Sequence, residues 1–209
     1  MTTLFTGLTP PDDECIHTPL IEIVPPADGE ALRCAVADAA KFDYILFTSR
    51  YAVKYWFEVD YEPHIPAGVN VVAIGKTTAE ALKKFCIADV IMPDVDDSYG
   101  VIRLFEQLGG GRKVLIPRSS IALPIIPEGL RNLGYEVSTV VAYINQMPEN
   151  VRKVNLDTID RIVFTSPSTV DNFLRLYGSL PSNKELVTRG SITQERLNYH
   201  INNINIYTE

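Results

Sequence analysis

The sequence predicts an α/β protein made of two parallel-sheet α/β domains joined by a two-stranded β linker, with the smaller domain built from both chain ends. Short apolar runs bounded by Gly, Pro or Ser alternate along the chain with segments of helical period. Residues 42–56, which predict a strand followed by the start of a helix, are repeated in similar form as residues 159–173. Thr165 lies 117 residues after Thr48. The C-terminal third holds only half of such a unit, so the N-terminal strand is needed to complete it.

The N-terminal part predicts a strand at 3–6, a Pro-rich acidic connection at 8–18 and a strand at 20–24. Prolines on both sides of 20–24 indicate a segment that crosses between domains. A helix over 28–41 follows, with Asp28 as its N-cap. The next elements are predicted as strands at 44–48, 69–74, 89–92 and 114–116, alternating with helices from Ser49, over 77–85, from Ser98 as N-cap to 108, and from Pro124 or Pro127 to 133.

The extended run 136–143 is predicted to pair with the first crossing segment. Beyond a polar connection, the second copy predicts strands at 161–165, 186–188 and 205–207, and helices over 168–177 and 193–202. We therefore expect residues 1–18 and 147–209 to form one discontinuous domain. Residues 26–137 form the inserted domain, and residues 19–25 and 138–146 form the two-stranded linker.

Composition excludes several classes of function. The net charge of −7 and the lack of a clustered run of Lys and Arg argue against nucleic acid or an anionic membrane as partner. The three cysteines lie far apart without a CxxC motif, so neither a zinc site nor a disulfide framework is predicted. No apolar run approaches the roughly 20 residues of a membrane helix, and no signal peptide is evident. We expect a cytoplasmic protein.

The candidate ligand site lies where strands end and helices begin. In open parallel sheets, ligands bind beyond the carboxyl ends of the strands. Both Thr-Ser pairs, at 48–49 and 165–166, occupy such positions, and 75–78, 190–193 and 117–120 repeat the layout. Hydroxyls, free N–H groups and the helix dipole together favour an anion. The pattern predicts a ligand with several negative groups, held between the two domains.

The same residues also have simpler structural interpretations. Ser and Thr after a strand are ordinary N-caps, and only their repetition on both halves favours a site. Arg50 and Arg118 equally suit solvated surface charges, and Tyr143 suits a half-buried strand aromatic. The acidic stretch 94–97 is better interpreted as a solvated loop than as a metal site. No P-loop, GxGxxG or GxSxG motif is present, and the three histidines have no ligand or triad spacing.

A set of short motifs occurs in one order over roughly residues 42–173. They read FTSRYAVKYWF, AIGKTTAEAL, DSYGVIRLF, KVLIPRSS, VVAY and FTSPSTVDNF. In these motifs the chain resembles the uroporphyrinogen-III synthase family. The resemblance implies a cofactor-independent lyase that closes linear hydroxymethylbilane into a macrocycle, with loss of water and inversion of ring D. It also implies two α/β domains joined by a two-stranded ladder.

The resemblance further implies a small-molecule substrate, a linear tetrapyrrole with carboxylate side chains, and a monomer whose cleft needs no partner chain. Tyr143 matches the family's tyrosine and is the candidate catalytic residue. A phenol of ordinary pKa, about 10, is protonated at neutral pH and can donate to the leaving hydroxyl. The candidate substrate-binding residues are Thr48, Ser49, Arg50, Lys76, Thr77, Thr78, Ser98, Arg118, Ser119, Thr165, Ser166, Ser168, Arg189 and Thr193.

Two regions depart from the family pattern. The first strand runs through Thr6 and Gly7 into a Pro-rich loop, where the family has an Arg-Pro and a helix. Arg189 replaces an apolar residue before Gly190, and it either compensates for the missing arginine or changes how this half binds. Two other functions therefore remain open. One is a non-catalytic two-domain binding or regulatory protein for a polyanionic small molecule, and the other is a diverged synthase without activity.

Overall fold

A computed structural model describes residues 1–12, 14–59 and 65–204. They form a mixed α/β fold with parallel sheets, as the sequence predicts. The predicted strand at 205–207 and His64 lie outside the described residues. None of the described helices is both long enough and apolar enough for a membrane span.

The described elements alternate along the chain. The strands are β1 (Thr3–Phe5), β2 (Ile16–His17), β3 (Glu22–Val24), β4 (Tyr44–Phe47), β5 (Asn70–Ala73), β6 (Val90–Ile91), β7 (Lys113–Ser119), β8 (Glu136–Gln146), β9 (Arg161–Phe164) and β10 (Glu185–Thr188). The helices are α1 (Glu30–Ala37), α2 (Arg50–Glu58), α3 (Lys76–Lys83), α4 (Ser98–Leu108), α5 (Ile125–Asn132), α6 (Pro167–Tyr177) and α7 (Ser191–Ile204). Short 3-10 turns lie at Ala39–Lys41 and Leu156–Thr158.

The chain divides into two compact units. The described residues of 1–22 and 146–204 form the terminal unit, and those of 23–145 form the central unit. In the terminal unit the strand order is β10-β9-β1-β2, and every neighbouring pair is parallel. Alternate side chains of β9, Ile162 and Phe164, point to the same face of the sheet and pack against Phe173 of α6 and Leu197 of α7.

The central unit holds a six-stranded sheet in the order β3-β8-β7-β4-β5-β6. β4 is parallel to both β5 and β7, so the carboxyl ends of these strands lie at one edge. All four residues of β4 are buried, as is usual for a strand covered on both faces. Phe47 packs on one face with Trp56 of α2, and Tyr44 packs on the other with Phe105 of α4.

Three local predictions are wrong. The connection at 8–18 contains β2, which pairs with β1 and forms the edge of the sheet. The N-cap of α1 is Gly29, although the carboxylate of Asp28 accepts the N–H of Glu30 at 2.9 Å. The N-cap of α4 is Asp97 instead of Ser98, and its carboxylate accepts the N–H of Gly100 at 2.6 Å. A carboxylate at this position also interacts favourably with the positive end of the helix dipole.

Candidate functional site

Tyr143 and two serines meet where β4 and β7 end in the central unit. Tyr143 lies on β8, and Ser119 at the end of β7 is its register partner. Ser49 follows β4 and is the N-cap of α2, as the sequence predicts, because its Oγ accepts the N–H of Ala52 at 3.0 Å. The same Oγ donates to the Tyr143 Oη at 3.0 Å. Three candidate residues of the sequence therefore form one cluster.

The environment of Tyr143 keeps its phenol protonated. The side chain is only 7% exposed, and this burial raises its pKa. Hydrogen bonds from Ser49 and Ser119 act in the opposite direction, and nearby Tyr51 raises the pKa further. Together these effects raise the pKa of Tyr143 above the ordinary tyrosine value of about 10, so the phenol is a donor at neutral pH.

Two further tyrosines, which the sequence did not single out, enclose the Tyr143 ring. The ring centroid of Tyr51 lies 5.8 Å from that of Tyr143, and Tyr55 stacks on it at 6.3 Å. The Tyr55 hydroxyl donates to the Ile23 carbonyl at 3.1 Å, and burial raises its pKa. Their spacing of four residues places both on one face of α2. This spacing is the sequence signal from which both tyrosines could have been predicted to lie together.

A second group of candidates lines a cavity of about 210 Å³ at the same strand ends. Thr48, Ser98 and Arg118 contribute polar side chains to a wall otherwise built by Ile, Leu, Ala and Pro side chains. The Arg118 guanidinium donates to the carbonyls of Ala122 and Leu123. Burial, and then the charge of Arg131, lower its pKa. A guanidinium beside two hydroxyls suits a carboxylate.

Arg50 is exposed and lies against Tyr51. Its guanidinium donates to the Tyr51 Oη at 2.9 Å and lies 4.9 Å from the centre of that ring. This contact extends the tyrosine cluster towards solvent with a positive charge.

The start of α3 already binds a carboxylate of the chain itself. The N–H of Lys76 donates to Asp96 Oδ2 at 3.0 Å. A Cβ at Gly75 would lie 2.5 Å from the Asp96 carboxyl carbon, so only glycine leaves room for this contact. Thr77 is exposed and Thr78 is buried. The acidic loop thus supplies an anion to the start of α3.

We expect Asp96→Ala to lower the free energy of unfolding by about 1 kcal/mol, because the start of α3 loses a charged acceptor. Chemical denaturation would measure the loss. Asp94→Ala is the matched control, since it removes an exposed carboxylate from the same loop. Equal losses in the two variants would contradict a specific role of Asp96.

In the terminal unit, Thr165, Ser166 and Ser168 lie together at the start of α6. Ser166 Oγ accepts the N–H of Thr169, and Thr169 Oγ1 accepts the N–H of Ser166, which completes a capping box. The hydroxyls of Ser166 and Ser168 are 3.0 Å apart. A Cβ at Gly7 would lie 2.6 Å from Thr165 Oγ1, so Gly7 gives this threonine its space.

Arg189 and Thr193 lie at the start of α7. The Arg189 guanidinium is 5.0 Å from the centre of the Phe5 ring. Thr193 is 3% exposed, and its hydroxyl donates to the Arg189 carbonyl at 3.1 Å. The Thr193 hydroxyl therefore hydrogen-bonds the backbone at the start of α7. Within the described part of the chain, no group of three or more His, Cys, Asp or Glu is placed to hold a metal ion.

Residues 13–207 match the family model described as uroporphyrinogen-III synthase HemD. The chain belongs to the uroporphyrinogen-III synthase family. Members of this family are lyases of tetrapyrrole biosynthesis that act on a small-molecule tetrapyrrole. The resemblance deduced from the ordered motifs is confirmed.

Curated relatives of the family cover most of the chain. A putative uroporphyrinogen-III synthase of Methanothermobacter thermautotrophicus is 30% identical over 171 residues, covering 77% of this chain and 67% of that protein. The uroporphyrinogen-III synthase of Chlorobaculum parvum is 28% identical over 193 residues, covering 86% and 76%. The porphyrin biosynthesis protein HemD of Ruminiclostridium josui is 28% identical, but the aligned region is only 35% of that protein.

Solved structures of the family share the fold. A mutant uroporphyrinogen-III synthase of Thermus thermophilus superposes with a TM-score of 0.68 at 17% identity, covering 95% of this chain and 88% of that one. The enzyme of Helicobacter pylori gives 0.66 at 16% identity, covering 94% and 87%. At these identities the likeness supports the α/β fold.

Proposed function

We propose that this chain is a uroporphyrinogen-III synthase, which closes hydroxymethylbilane to uroporphyrinogen III with loss of water and inversion of ring D. The observation that carries the proposal is the buried phenol of Tyr143, a protonated donor held by Ser49 at the strand ends. It occurs in a chain that matches the family over residues 13–207.

The proposed chemistry needs one proton donor and no cofactor. The C–O bond of the substrate's hydroxymethyl group breaks, and the hydroxyl leaves as water with an added proton, while the pyrrole nitrogen supplies electrons and an azafulvene forms. The substituted α-carbon of ring D then attacks the azafulvene methylene to form a spiro intermediate, and the bond from that carbon to the bridge towards ring C breaks, which generates a second azafulvene on ring C. The free α-carbon of ring D attacks this second azafulvene, so that ring D is inverted, and loss of the proton from that carbon completes the closure. Tyr143 assists the first step by hydrogen-bonding the leaving oxygen. Holding one folded conformer supplies most of the catalysis.

The substrate carboxylates are proposed to bind at the strand ends. Arg118 is the leading candidate, because its cavity also presents the Thr48 and Ser98 hydroxyls. In the terminal unit, the neighbouring hydroxyls of Ser166 and Ser168 are the proposed binding groups for a substrate carboxylate. Local donors and a few arginines would thus attract an anion to a protein of net charge −7.

We further propose substrate contacts from Arg50, Lys76, Thr77, Thr78, Thr165, Arg189 and Thr193. We also propose a cytoplasmic monomer, on the basis of the acidic composition and the family chemistry.

Isomer analysis tests the function directly. Purified protein given freshly prepared hydroxymethylbilane is expected to yield the type III isomer, because enzymatic closure follows ring inversion. A reaction without protein is the control and should yield the spontaneous type I isomer. Type I alone in both reactions would contradict the proposal. Tight binding without turnover would favour a non-catalytic binding protein.

A further inference from the structure

We infer that Ser49 is a positioning residue that acts through Tyr143, since its hydroxyl donates to the phenolic oxygen and leaves the phenol's own proton free for the substrate. The inference rests on the proposed function. It gives Ser49 a task different from the direct substrate contact that the sequence predicted.

The hydrogen bonds of Ser49 leave its hydroxyl little freedom. A serine hydroxyl has one proton to donate and two lone pairs that accept. The Ala52 N–H occupies one lone pair at 3.0 Å, because Ser49 caps α2. The proton goes to the Tyr143 Oη at 3.0 Å. Helix α2 is itself fixed by the fully buried Val53 and Trp56, so this geometry is rigid.

The consequence for Tyr143 is a defined direction for its proton. The phenol carries a single donor, and a hydroxyl that already accepts a hydrogen bond is a stronger donor in turn. The ring is held by Tyr51 and Tyr55 and is almost completely buried, which restricts its rotation. Ser49, with Ser119 on the neighbouring strand, therefore restricts the position of the phenolic oxygen and the side from which it accepts.

A double-mutant cycle separates this task from direct binding. We expect Ser49→Ala and Tyr143→Phe each to slow the single-turnover formation of the type III isomer about two- to tenfold, the effect of one lost hydrogen bond. The double variant should be no slower than Tyr143→Phe, with kcat reduced and KM unchanged. If the fold-reductions in rate of the two single variants multiplied in the double variant, Ser49 would act independently of Tyr143, and the inference would be overturned.

Two substitutions at position 49 separate positioning from helix capping. Ser49→Asp retains an acceptor for the Ala52 N–H and cannot donate to Tyr143, so we expect a stable but slow enzyme. Ser49→Thr retains both functions and should restore the rate. A wild-type rate in Ser49→Asp would overturn the inference. Tyr135→Phe is the control for Tyr143→Phe, because it removes another buried hydroxyl, which donates to the Phe105 carbonyl at 2.8 Å.

Titration of the phenol gives a test that does not require activity. The Ser49 hydrogen bond lowers the pKa of Tyr143 against the effect of burial. NMR of ring-labelled tyrosine should therefore show a higher Tyr143 pKa in Ser49→Ala than in the wild type and in Ser49→Thr. An unchanged pKa would overturn the inference even in an active enzyme. Failure of the isomer assay alone would instead contradict the proposed function.

Discussion

Trp56→Ala is expected to lower the free energy of unfolding by about 3–5 kcal/mol, because it leaves a large cavity in the core of the central unit. Trp56 is fully buried on the inner face of α2 and meets Phe47 of β4 edge to face, with 5.8 Å between ring centroids. These two aromatic residues fix α2 against β4, the strand that ends at Phe47. Urea denaturation followed by circular dichroism would measure the loss.

Tyr99→Ala provides the matched control for this aromatic truncation. Tyr99 lies on α4 and is 61% exposed, so its removal should change the free energy of unfolding by no more than about 0.5 kcal/mol. The loss of stability in Trp56→Phe should lie between those of Trp56→Ala and Tyr99→Ala. The substitution leaves a smaller cavity, and it also removes a buried indole N–H that has no partner among the described residues. A similar loss in Trp56→Ala and Tyr99→Ala would contradict the role assigned to Trp56.

Local signals were sufficient for the repeated strand and helix start. A short run of apolar residues followed by Thr-Ser predicted β4 with a helix beginning near Ser49, and β9 with a helix from about residue 168. In the structure α2 and α6 follow these strands and are capped by Ser49 and Ser166. The signals are strong because burial of the strand and capping by the serine depend on residues adjacent in sequence. The same pattern identified the Thr-Ser pairs as candidate site residues.

The strand β2 and the cap of α4 could not be predicted from local signals. β2 is only two residues long and exposed, and it exists because Ile16 and His17 pair with β1. The cap of α4 was misplaced because Asp97 and Ser98 are both good capping residues. The extended backbone of Asp97 decides between them, and residue type does not reveal it.

The candidate site was predicted as a set of residues and not as a set of contacts. Ser49 and Tyr143 were both singled out, but they are 94 positions apart and meet through the register of β4, β7 and β8. At α3 the sequence predicted Lys76 as a substrate contact, and the structure shows that its backbone N–H donates to Asp96. A loop conformation determines that contact, and the sequence gives no local signal for it.

Gly100→Ala is expected to lower the free energy of unfolding by about 2–4 kcal/mol, through overpacking and the loss of two helix caps. A Cβ at Gly100 would lie 2.0 Å from the Val95 carbonyl oxygen, which also accepts the Asp97 N–H at 2.8 Å. Backbone at this point cannot yield without moving the acidic loop. The loop supplies Asp97 to α4 and Asp96 to α3, so both helix starts should be weakened together.

Gly129→Ala is the matched control, because this helical glycine also faces a close neighbour, the Cδ1 of Ile102 at 2.5 Å. The end of a side chain can change rotamer, whereas a backbone carbonyl held by a hydrogen bond cannot, so the control should lose clearly less stability. Hydrogen exchange at the Lys76 and Gly100 amides would locate the effect. Unchanged protection of Lys76 in Gly100→Ala would show that the two helix starts are independent, and that Asp96 reaches α3 without the loop conformation that Gly100 permits.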